Sequence, residues 1–392
     1  MNIAIILPGI LPVPSLKGGA VETLIDYLIE YNELNPEHEI TIFGVFDNVL
    51  TNFDFSHYKH THLNLLNQKS CFTKLDRLLF KIFKWEKYYN YYLDYFAYNA
   101  SKGIGSSNFD MVIVENRPGF ILPISMCTSA KIVLHLHNDT LSKDTKEATA
   151  IVNACSEILT VSNYLKKRVS SIAPTDKVNV VYNGIDLERF LNPESSGMSR
   201  ADWRLSDDDF VVVFTGRITP IKGVRELLQA FMLLSGYPKI KLLLVGGSFN
   251  DASRESEFMT EMRQISSRNG SQILFTGFQP YEKIPSILSL CDISVIPSIC
   301  EDALTLTSLE DMAIGLPLVV TRSGGIPEAV DEKCAIIIDK DNELPSNLAE
   351  AILSLYNNVE KRLQMSMHAK KRSALFDKEK YAADFFKYIS EY

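Results

Sequence analysis

Residues 210–234 read FVVVFTGRITPIKGVRELLQAFMLL, an apolar run that passes through a short polar loop into a helical pattern. The continuous apolar run is typical of a parallel strand that is covered on both faces. After the loop, apolar residues recur at the spacing of one helix face, at Val224, Leu227, Leu228 and Phe231. A strand, a loop and a helix in this order predict one unit of a doubly wound α/β sheet.

The same alternation runs through both halves of the chain. Short apolar runs in the first half are IAIILP, EITIFGV, MVIVE, KIVLHLH, EILTVS and VNVVYN, and those in the second half are FVVVFTG, KLLLVGG, ILFTGF, DISVIPS, PLVVT and AIIID. Helical patterns lie between them, as in GGAVETLIDYLIEYNELN at 18–35. We therefore predict an α/β fold with two Rossmann-like, doubly wound domains that face each other across a cleft.

The boundary between the two halves is visible in the composition. A length of 392 residues is long for one core and agrees with two domains. At 189–209 the sequence RFLNPESSGMSRADWRLSDDD has Pro, Gly, Ser and charged residues in place of a strand pattern. This stretch predicts the linker between an N-terminal domain at 1–190 and a C-terminal domain at 191–376.

Composition excludes several classes of protein. A net charge of −8 argues against a nucleic-acid binder, which is usually basic. The six cysteines lack CxxC spacing, which argues against a zinc site or a disulfide framework and suits a reducing cytosol. The apolar start MNIAIILPGILPVP has no basic residue and no small-residue cleavage site, so it predicts a first strand and not a signal peptide. No apolar run approaches the length that spans a bilayer.

Polar and glycine residues follow several of the predicted strands. Gly216 and Arg217 come directly after FVVVFT, and Lys222 and Gly223 precede the helix. Two cations at a helix N-terminus can hold a pyrophosphate, with backbone N–H groups and the helix dipole adding to the attraction. A solvated surface pair remains the alternative.

Residues 297–330, PSICEDALTLTSLEDMAIGLPLVVTRSGGIPEAV, combine acids, a helix start and a glycine pair. We predict a helix over 308–315, which places Glu310 in its first turn, where a carboxylate suits the dipole and can accept from a sugar diol. Gly324 and Gly325 follow a strand and would let backbone approach a ligand, or simply form a tight turn.

The first half contributes two further candidates. PVPSLKGGAVE at 12–22 places Gly18 and Gly19 at a strand-to-helix junction. LHLHND places His135 and His137 two residues apart at a strand end, so both side chains point to the same face. A hydrogen-bonded structural histidine is the alternative there. All of these candidates sit at predicted carboxyl ends of strands, where ligands bind in open α/β sheets.

The motifs GRITPIKG, VVYNGIDLERF, LTVSNYLKKRV and FTGF…DISVIPS, together with 297–330, resemble the retaining glycosyltransferases of GT-B fold that use nucleotide-sugar donors. The resemblance covers nearly the whole chain in the family's order. It implies a hexosyltransferase that needs no metal and no cofactor beyond its UDP- or GDP-sugar substrate. It also implies that the final amphipathic helix, residues 377–392, crosses back to the first domain.

The resemblance assigns roles to residues of this sequence. Arg217 and Lys222 match the pair that holds the donor diphosphate, and Glu310 matches the second acid of an E-x7-E motif, which binds the ribose hydroxyls. His137 matches the histidine that meets the transferred sugar. The remaining residues that match donor-binding positions of the family are Gly18, Gly19, Gly216, Phe278 and the TLTSL loop at 305–309, including Thr305, Leu306 and Thr307.

The sequence departs from the family pattern at the first acid. Seven residues separate Asp302 from Glu310, so Asp302 stands where the family usually has Glu. Glu301 could substitute if the loop bulges by one residue. Ala303, Leu304 and Thr305 replace the usual Pro-Phe-Gly, which reshapes the expected pocket around the transferred sugar.

Residues 69–98, KSCFTKLDRLLFKIFKWEKYYNYYLDYFAY, predict an amphipathic helix. Cations fall on one side of it, at Lys74, Arg77, Lys81 and Lys84, and apolar residues fall on another. Such a helix can lie on an anionic membrane. The alternative is a helix whose apolar face packs on the sheet. A lipid-linked acceptor would suit the membrane interpretation.

We therefore predict transfer of a hexosyl group to a hydroxyl of a glycan or lipid-linked acceptor in cell-surface polysaccharide synthesis, by a cytoplasmic protein that is peripheral to the membrane. One alternative is a non-catalytic coat protein that binds sugar nucleotides or glycans on the same fold. Another is an epimerase or a phosphorylase. An NAD dehydrogenase is excluded because no G-x-G-x-x-G follows the first strand.

Overall fold

The computed structural model describes residues 1–83, 87–173, 175–193, 198–248, 256–267 and 272–390. The chain divides into two compact units. The first unit contains residues 1–182 together with 381–392, and the second unit contains residues 183–380.

The first unit is built on a parallel sheet of seven strands in the order β3-β2-β1-β4-β5-β6-β7. Its strands are β1 (Asn2–Ile6), β2 (Glu39–Val45), β3 (Thr61–Leu66), β4 (Met111–Glu115), β5 (Lys131–Leu136), β6 (Glu157–Thr160) and β7 (Val178–Val180). The order reverses between β1 and β4, which pair directly. The loops that follow these two strands therefore diverge and leave room for a ligand at the carboxyl edge.

Helices cover both faces of this sheet. They are α1 (Ala20–Leu34), α2 (Cys71–Phe83), α3 (Tyr91–Gly105), α4 (Ile121–Ser125), α5 (Ala148–Ala154) and α6 (Asn163–Ser170). Helix α1 forms where the period of 3.6 predicts it, and Leu24, Ile25 and Leu28 on its apolar face are fully buried.

The second unit has a parallel sheet of six strands in the order β10-β9-β8-β11-β12-β13. Its strands are β8 (Phe210–Thr215), β9 (Ile240–Val245), β10 (Ile273–Gly277), β11 (Ile293–Ile296), β12 (Leu318–Thr321) and β13 (Ala335–Ile338). The order reverses between β8 and β11. These six strands are the six apolar runs of the second half.

The helices of the second unit are α7 (Leu187–Leu191), α8 (Val224–Leu233), α9 (Glu257–Ser266), α10 (Ile284–Leu288), α11 (Leu306–Ile314), α12 (Ile326–Ala329), α13 (Leu344–Tyr356) and α14 (Val359–Ser373). Helices α8 and α13 pack against the sheet in one hydrophobic cluster with the strands β8 and β9. The apolar face of α8 is fully buried there, as its spacing predicts.

The predicted linker at 189–209 is misplaced, because the units divide between Tyr182 and Asn183. Asn183 already donates to the Leu304 carbonyl (2.9 Å), and Ile185 forms a bridge to Asp377 within the second unit. Within the misplaced segment, residues 194–197 lie outside the described part of the chain. Polar composition therefore marked a surface connection inside the second unit and not the boundary.

The last helix, α15 (Lys378–Ser390), begins in the second unit and enters the first unit at Tyr381. Its side chains Tyr381, Phe385 and Phe386 are buried, and the Phe385 ring packs at a tilt against the His135 ring with ring centroids 5.4 Å apart. The return to the first unit thus falls at 381, four residues later than the predicted start of the helix at 377.

Sequence patterns missed one strand, β3. Its sequence THLNLL mixes polar and apolar residues, because β3 lies at the sheet edge and is buried only in part. Among the described residues no helix is long and apolar enough to cross a membrane.

Candidate functional site

In the second unit, the loops after β8 and β11 meet at the point where the strand order reverses. Ile299 N donates to the Ile221 carbonyl across the two loops (3.0 Å). Gly223 is required there, because its φ is +71° and a Cβ would lie 1.8 Å from the Pro297 carbonyl oxygen. This contact fixes Lys222, the preceding residue, against the acidic loop.

Lys222 and Asp302 form an ion pair, with 2.6 Å between Nζ and Oδ1. The two side chains are 22% and 14% exposed, so the pair is largely shielded from water. The other carboxylate oxygen, Asp302 Oδ2, is buried and has no hydrogen-bond partner among the described residues. Sequence reasoning brought both residues to one site but did not predict that they would bind each other.

The glycine pair after β12 packs against the same acidic loop. Gly325 N donates to the Asp302 carbonyl (2.7 Å), and Asp302 N donates to Ser323 Oγ (3.0 Å). Gly324 has φ +47°, and a Cβ there would lie 1.9 Å from the Asp302 carbonyl oxygen. The two glycines therefore allow the loop after β12 to lie close to the Asp302 backbone.

Glu301 points away from Lys222. Its carboxylate accepts from Gly324 N (2.5 Å) and pairs with Lys340, which follows β13. Partial burial raises the pKa of Glu301, but the Lys340 ammonium and the Gly324 N–H outweigh it, so this pKa lies below its usual range. Glu301 is thus held in its own ion pair, and Asp302 is the acid that faces the Lys222 cation.

Arg217 lies on the loop after β8 with an exposed side chain. Among the described residues it makes no hydrogen bond or ion pair, so its guanidinium is available to an anion. Gly216 before it has φ +143°, and the Gly246 backbone approaches so closely that a Cβ on Gly246 would lie 2.0 Å from the Gly216 carbonyl oxygen.

Glu310 lies in the second turn of α11 and not in the first, because the helix begins at Leu306. The predicted dipole contact is therefore wrong. Glu310 is 5% exposed and accepts from the Tyr281 hydroxyl (2.9 Å). Burial raises the pKa of Glu310 to about 7, while the Tyr281 hydroxyl and the Arg189 charge act in the opposite direction.

The segment 305–309 is not a loop but the start of α11. Thr305 is the N-cap residue, and its hydroxyl accepts from Ser308 N (3.3 Å). Leu306 and Thr307 form the first turn and are partly exposed. Their N–H groups belong to the end of the helix that favours anions. Phe278 follows β10 at the same edge of the sheet and is partly exposed.

In the first unit, the loops after β1 and β4 also meet. Arg117 Nε donates to the Pro8 carbonyl (3.2 Å). Gly18 (φ +71°) and Gly19 (φ +113°) precede α1, and a Cβ on Gly19 would lie 2.2 Å from Glu22 Oε2. Burial raises the pKa of Glu22 to about 7. A carboxyl that is about half protonated at neutral pH therefore lies directly beside the glycine turn.

A buried acid joins the two strand-end histidines. Glu115 Oε2 lies 2.8 Å from His137 Nε2 and 3.1 Å from His135 Nδ1, and all three side chains are almost fully buried. Burial lowers the pKa of His137 to about 4, so its ring is neutral at pH 7. Asn116 Oδ1 accepts from His137 N (3.2 Å) and so fixes the backbone of the same strand end.

The same three side chains could hold a metal ion, because one ligand atom of each lies within 4.8 Å of the others. A neutral imidazole and an ionised carboxylate are the forms that bind a metal. The carboxylate oxygen already lies within hydrogen-bond distance of both rings, however, so the cluster is satisfied in part without an ion. We therefore treat it as a buried polar cluster joined by the hydrogen bond between Glu115 and His137, in which both nitrogens of the His135 ring have no hydrogen-bond partner among the described residues.

Several known proteins are similar to this chain. The family model "Glycosyl transferases group 1" matches residues 197–372. The putative glycosyltransferase YtcC of Bacillus subtilis (strain 168) is 28% identical over 396 residues, which cover 96% of this chain and 88% of that protein. The spore coat protein SA of the same organism is 25% identical over 390 residues, which cover 95% and 94%.

Among solved structures, Anabaena HepE in complex with UDP has a TM-score of 0.74 at 19% sequence identity, covering all of both chains. With its two parallel sheets, the chain is a protein of GT-B fold. Over residues 197–372 it is similar to the glycosyl transferases group 1 family, and a putative glycosyltransferase is similar to it along nearly its whole length.

Three residues of the site gave no sequence signal of their own. Tyr281, Lys340 and Glu115 come from separate strand ends, and each is linked to a candidate only through the fold. Glu115 could have been suspected, because it ends the run MVIVE at the strand next to KIVLHLH. The other two required the strand order.

Proposed function

We propose that this protein transfers a hexosyl group from a nucleotide sugar to an acceptor hydroxyl with retention of the anomeric configuration, and that the donor is a UDP-sugar in preference to a GDP-sugar. The observation that carries the proposal is the Lys222–Asp302 pair at the carboxyl edge of the second sheet, with the unpaired Arg217 on the adjoining loop. Because this is where α/β sheets bind nucleotides, two cations there suit a diphosphate.

The largest barrier in such a transfer is the negative charge that develops on the leaving diphosphate. Lys222, Arg217 and the N–H groups at the start of α11 would stabilise this charge without a metal ion. Lys222 would exchange Asp302 Oδ1 for a phosphate oxygen when the donor binds. Asp302 would then be free to accept from a hydroxyl of the transferred sugar.

Glu310 would receive the ribose hydroxyls, which requires its carboxylate form. Since its pKa is about 7 in the free protein, hydrogen bonds from a diol would favour ionisation. On the first unit, His137 would contact the transferred sugar, and Gly18 and Gly19 would admit the donor to the backbone. Glu115 would then keep the His137 ring oriented.

The acceptor would be a glycan or a lipid-linked glycan of the cell surface, and the protein would act in the cytoplasm at the inner face of the membrane. Residues 69–98 would supply contact with anionic lipid. The resemblance to polysaccharide- and glycolipid-building enzymes motivates this part of the proposal.

The test is a metal-free thermal-shift panel of UDP- and GDP-sugars, with nucleotide release measured in parallel. Wild type should be stabilised by one donor and should release its nucleotide slowly, faster when the acceptor is present. Lys222→Ala should lose both effects. Lys239→Ala is the matched control, because Lys239 forms an exposed 2.6 Å pair with Asp208 in the same unit and should behave as wild type. No shift with any nucleotide sugar would contradict the proposal.

A second candidate is a non-catalytic protein that binds sugar nucleotides or glycans in a coat. Its support is the similarity to spore coat protein SA along nearly the whole chain, together with the altered Asp302–Thr305 segment. This candidate predicts stabilisation by a nucleotide sugar without nucleotide release or transfer, so the same panel separates the two.

A further inference from the structure

Helix α2 exposes its apolar side. Six large apolar residues lie on one face of the helix, and each side chain is between 47% and 87% exposed: Phe72, Leu75, Leu78, Leu79, Ile82 and Phe83. We call these six residues the α2 apolar face. A helix of a globular protein normally buries its apolar face against the core, whereas α2 exposes its apolar face to solvent.

The inward side of α2 is held by different contacts. Phe80 stacks on Tyr98 with ring centroids 4.9 Å apart, and the buried Arg77 places its guanidinium 4.6 Å from the centre of the Tyr92 ring. The Tyr91 hydroxyl also donates to the Arg77 carbonyl (3.0 Å). These contacts fix α2 on α3 and direct the α2 apolar face away from the unit.

The structure therefore rejects the alternative in which the apolar residues pack on the sheet. It also corrects the predicted role of Arg77, which is a packing residue and not a member of an exposed cationic side. Residues 69–98 form two helices instead of one, since α2 ends at Phe83 and α3 begins at Tyr91. Lys84, the fourth predicted cation, lies outside the described residues.

Exposed lysines border the α2 apolar face. Lys74 and Lys81 lie beside Leu78 around the helix, and Lys69 and Lys87 lie near its two ends, all with exposed side chains. Asp76 does not offset them, because it pairs with Lys102 (3.3 Å) and accepts from the Tyr95 hydroxyl (2.9 Å). The border is therefore positive in a protein whose net charge is −8.

We propose that the α2 apolar face is a preformed docking surface for an anionic lipid bilayer. The helix would lie in the plane of the interface, with its apolar side chains among the acyl chains and its lysines at the headgroups. This deepens the proposed function, on whose lipid-linked acceptor it rests, by naming the side chains that reach the membrane. The lysine border favours anionic lipid over a second copy of the chain, since two such borders would repel.

The experiment is sedimentation of the full chain with vesicles of phosphatidylglycerol and phosphatidylcholine. Wild type should bind the mixed vesicles and should bind pure phosphatidylcholine about tenfold less, because each lysine near an anionic surface adds to binding. The double variant Leu79→Glu/Ile82→Glu should lose binding by about tenfold or more. Leu363→Glu is the matched control, since Leu363 on α14 is 61% exposed, as Ile82 is 62% exposed.

A reporter on Cys71 separates insertion from loose adsorption. Cys71 begins α2 and is exposed, and Cys127 is a second exposed thiol of the same unit. A polarity-sensitive dye on Cys71 in a Cys127→Ser variant should shift to the blue with mixed vesicles, whereas the same dye on Cys127 in a Cys71→Ser variant should not. Equal shifts at both thiols would overturn the proposal.

Two further results would overturn the docking proposal: unchanged binding by the double variant, or a dimer in solution that the same variant dissociates. The thermal shift caused by the donor tests the proposed function separately from the docking proposal. The α2 substitutions lie on the first unit and should leave this thermal shift unchanged. Vesicle binding without any donor shift would retain the docking surface and reject the transferase. A donor shift without vesicle binding would reject the docking surface and retain the transferase.

Discussion

At the residue scale, two donor-site candidates each bind a partner side chain that could not be predicted from the sequence. Lys222 is paired with Asp302, and Glu310 with Tyr281. Each pair satisfies a charged or polar group that would otherwise be costly to bury. A ligand that binds one residue of a pair separates it from the other residue. The ligand must therefore supply hydrogen bonds to both residues of that pair.

Asp302→Asn should separate binding from turnover. Because the amide no longer neutralises Lys222, the nucleoside diphosphate should bind more tightly, while transfer falls since the amide is a poorer acceptor for a sugar hydroxyl. We expect the Kd for UDP to fall several-fold and turnover to fall by about tenfold or more. Calorimetry with UDP and product release measure the two. Weaker UDP binding by the variant would argue against competition for Lys222.

Arg217→Ala and Lys222→Ala should each lower turnover by about 10²–10³, with little loss of stability for Arg217→Ala and a larger loss for Lys222→Ala, which leaves the largely buried Asp302 carboxylate unpaired. The magnitude is that of removing one donor aimed at developing charge. Arg217 is exposed, so its removal leaves no cavity. Steady-state kinetics and a melting curve for each variant give the comparison, and full activity in both would remove these residues from the mechanism.

Glu115→Gln tests whether a buried acid orients His137. The amide lacks the negative charge that Glu115 Oε2 places beside both rings, so we expect a destabilisation of about 1–3 kcal/mol and a fall in transfer with an altered pH profile. Glu157→Gln is the control, because Glu157 is equally buried at the amino end of β6 and accepts from Asn179 (2.5 Å). If both variants lose stability but keep full transfer, Glu115 is structural only.

At the element scale, glycines decide where loops meet. Gly223 brings the β8 loop against the β11 loop, and Gly324 brings the β12 loop against the acidic loop. Both adopt positive φ, a conformation that is strained for any other residue. At these two glycines, loops that follow different strands come into contact and form the candidate site.

Gly223→Ala should disrupt the site and the second unit together. The new Cβ would overlap the Pro297 carbonyl oxygen, and the positive φ adds strain, so we expect a loss of about 2–4 kcal/mol. Gly236→Ala is the matched control, because a Cβ there has open space. Chemical denaturation of both variants measures the difference, and equal stabilities would show that the loops can separate.

At the scale of the whole molecule, buried carboxyls couple stability to pH. Burial raises the pKa of Asp311 to about 8, of Glu22 to about 7 and of Asp26 to about 6. These groups stay protonated in the folded protein at pH values where the unfolded chain has released their protons. The folded state therefore binds more protons, and its stability falls as pH rises.

We predict that the melting temperature falls between pH 6 and pH 8.5. Below pH 6.5 the lowered pKa of His137 has the opposite effect on stability. There the unfolded chain binds a proton at this ring, whereas the folded protein does not. Asp311→Asn should flatten the decline above pH 7, because the amide keeps the bond with Ser294 Oγ (2.5 Å) without a titrating proton. A decline as steep as that of wild type would reject this account.

The sequence by itself determined the alternation of strands and helices, all six strands of the second sheet and the loops that carry Arg217, Lys222 and Asp302. It could do so because strand and helix periods are local, and because strands of a parallel sheet end at one edge. Family resemblance added the roles that remain to be tested.

Only the tertiary structure decided which residues pair, where the units divide and which face of α2 is buried. The partner of Glu115 is set by strand order, and the edge strand β3 lacks a continuous apolar run because it is only half covered. The α2 apolar face gives the same sequence pattern whether it packs inward or outward. Arg77 and Phe80, with the tyrosines of α3, settle the direction, since contacts between distant segments and not periodicity fix the rotation of a helix about its axis.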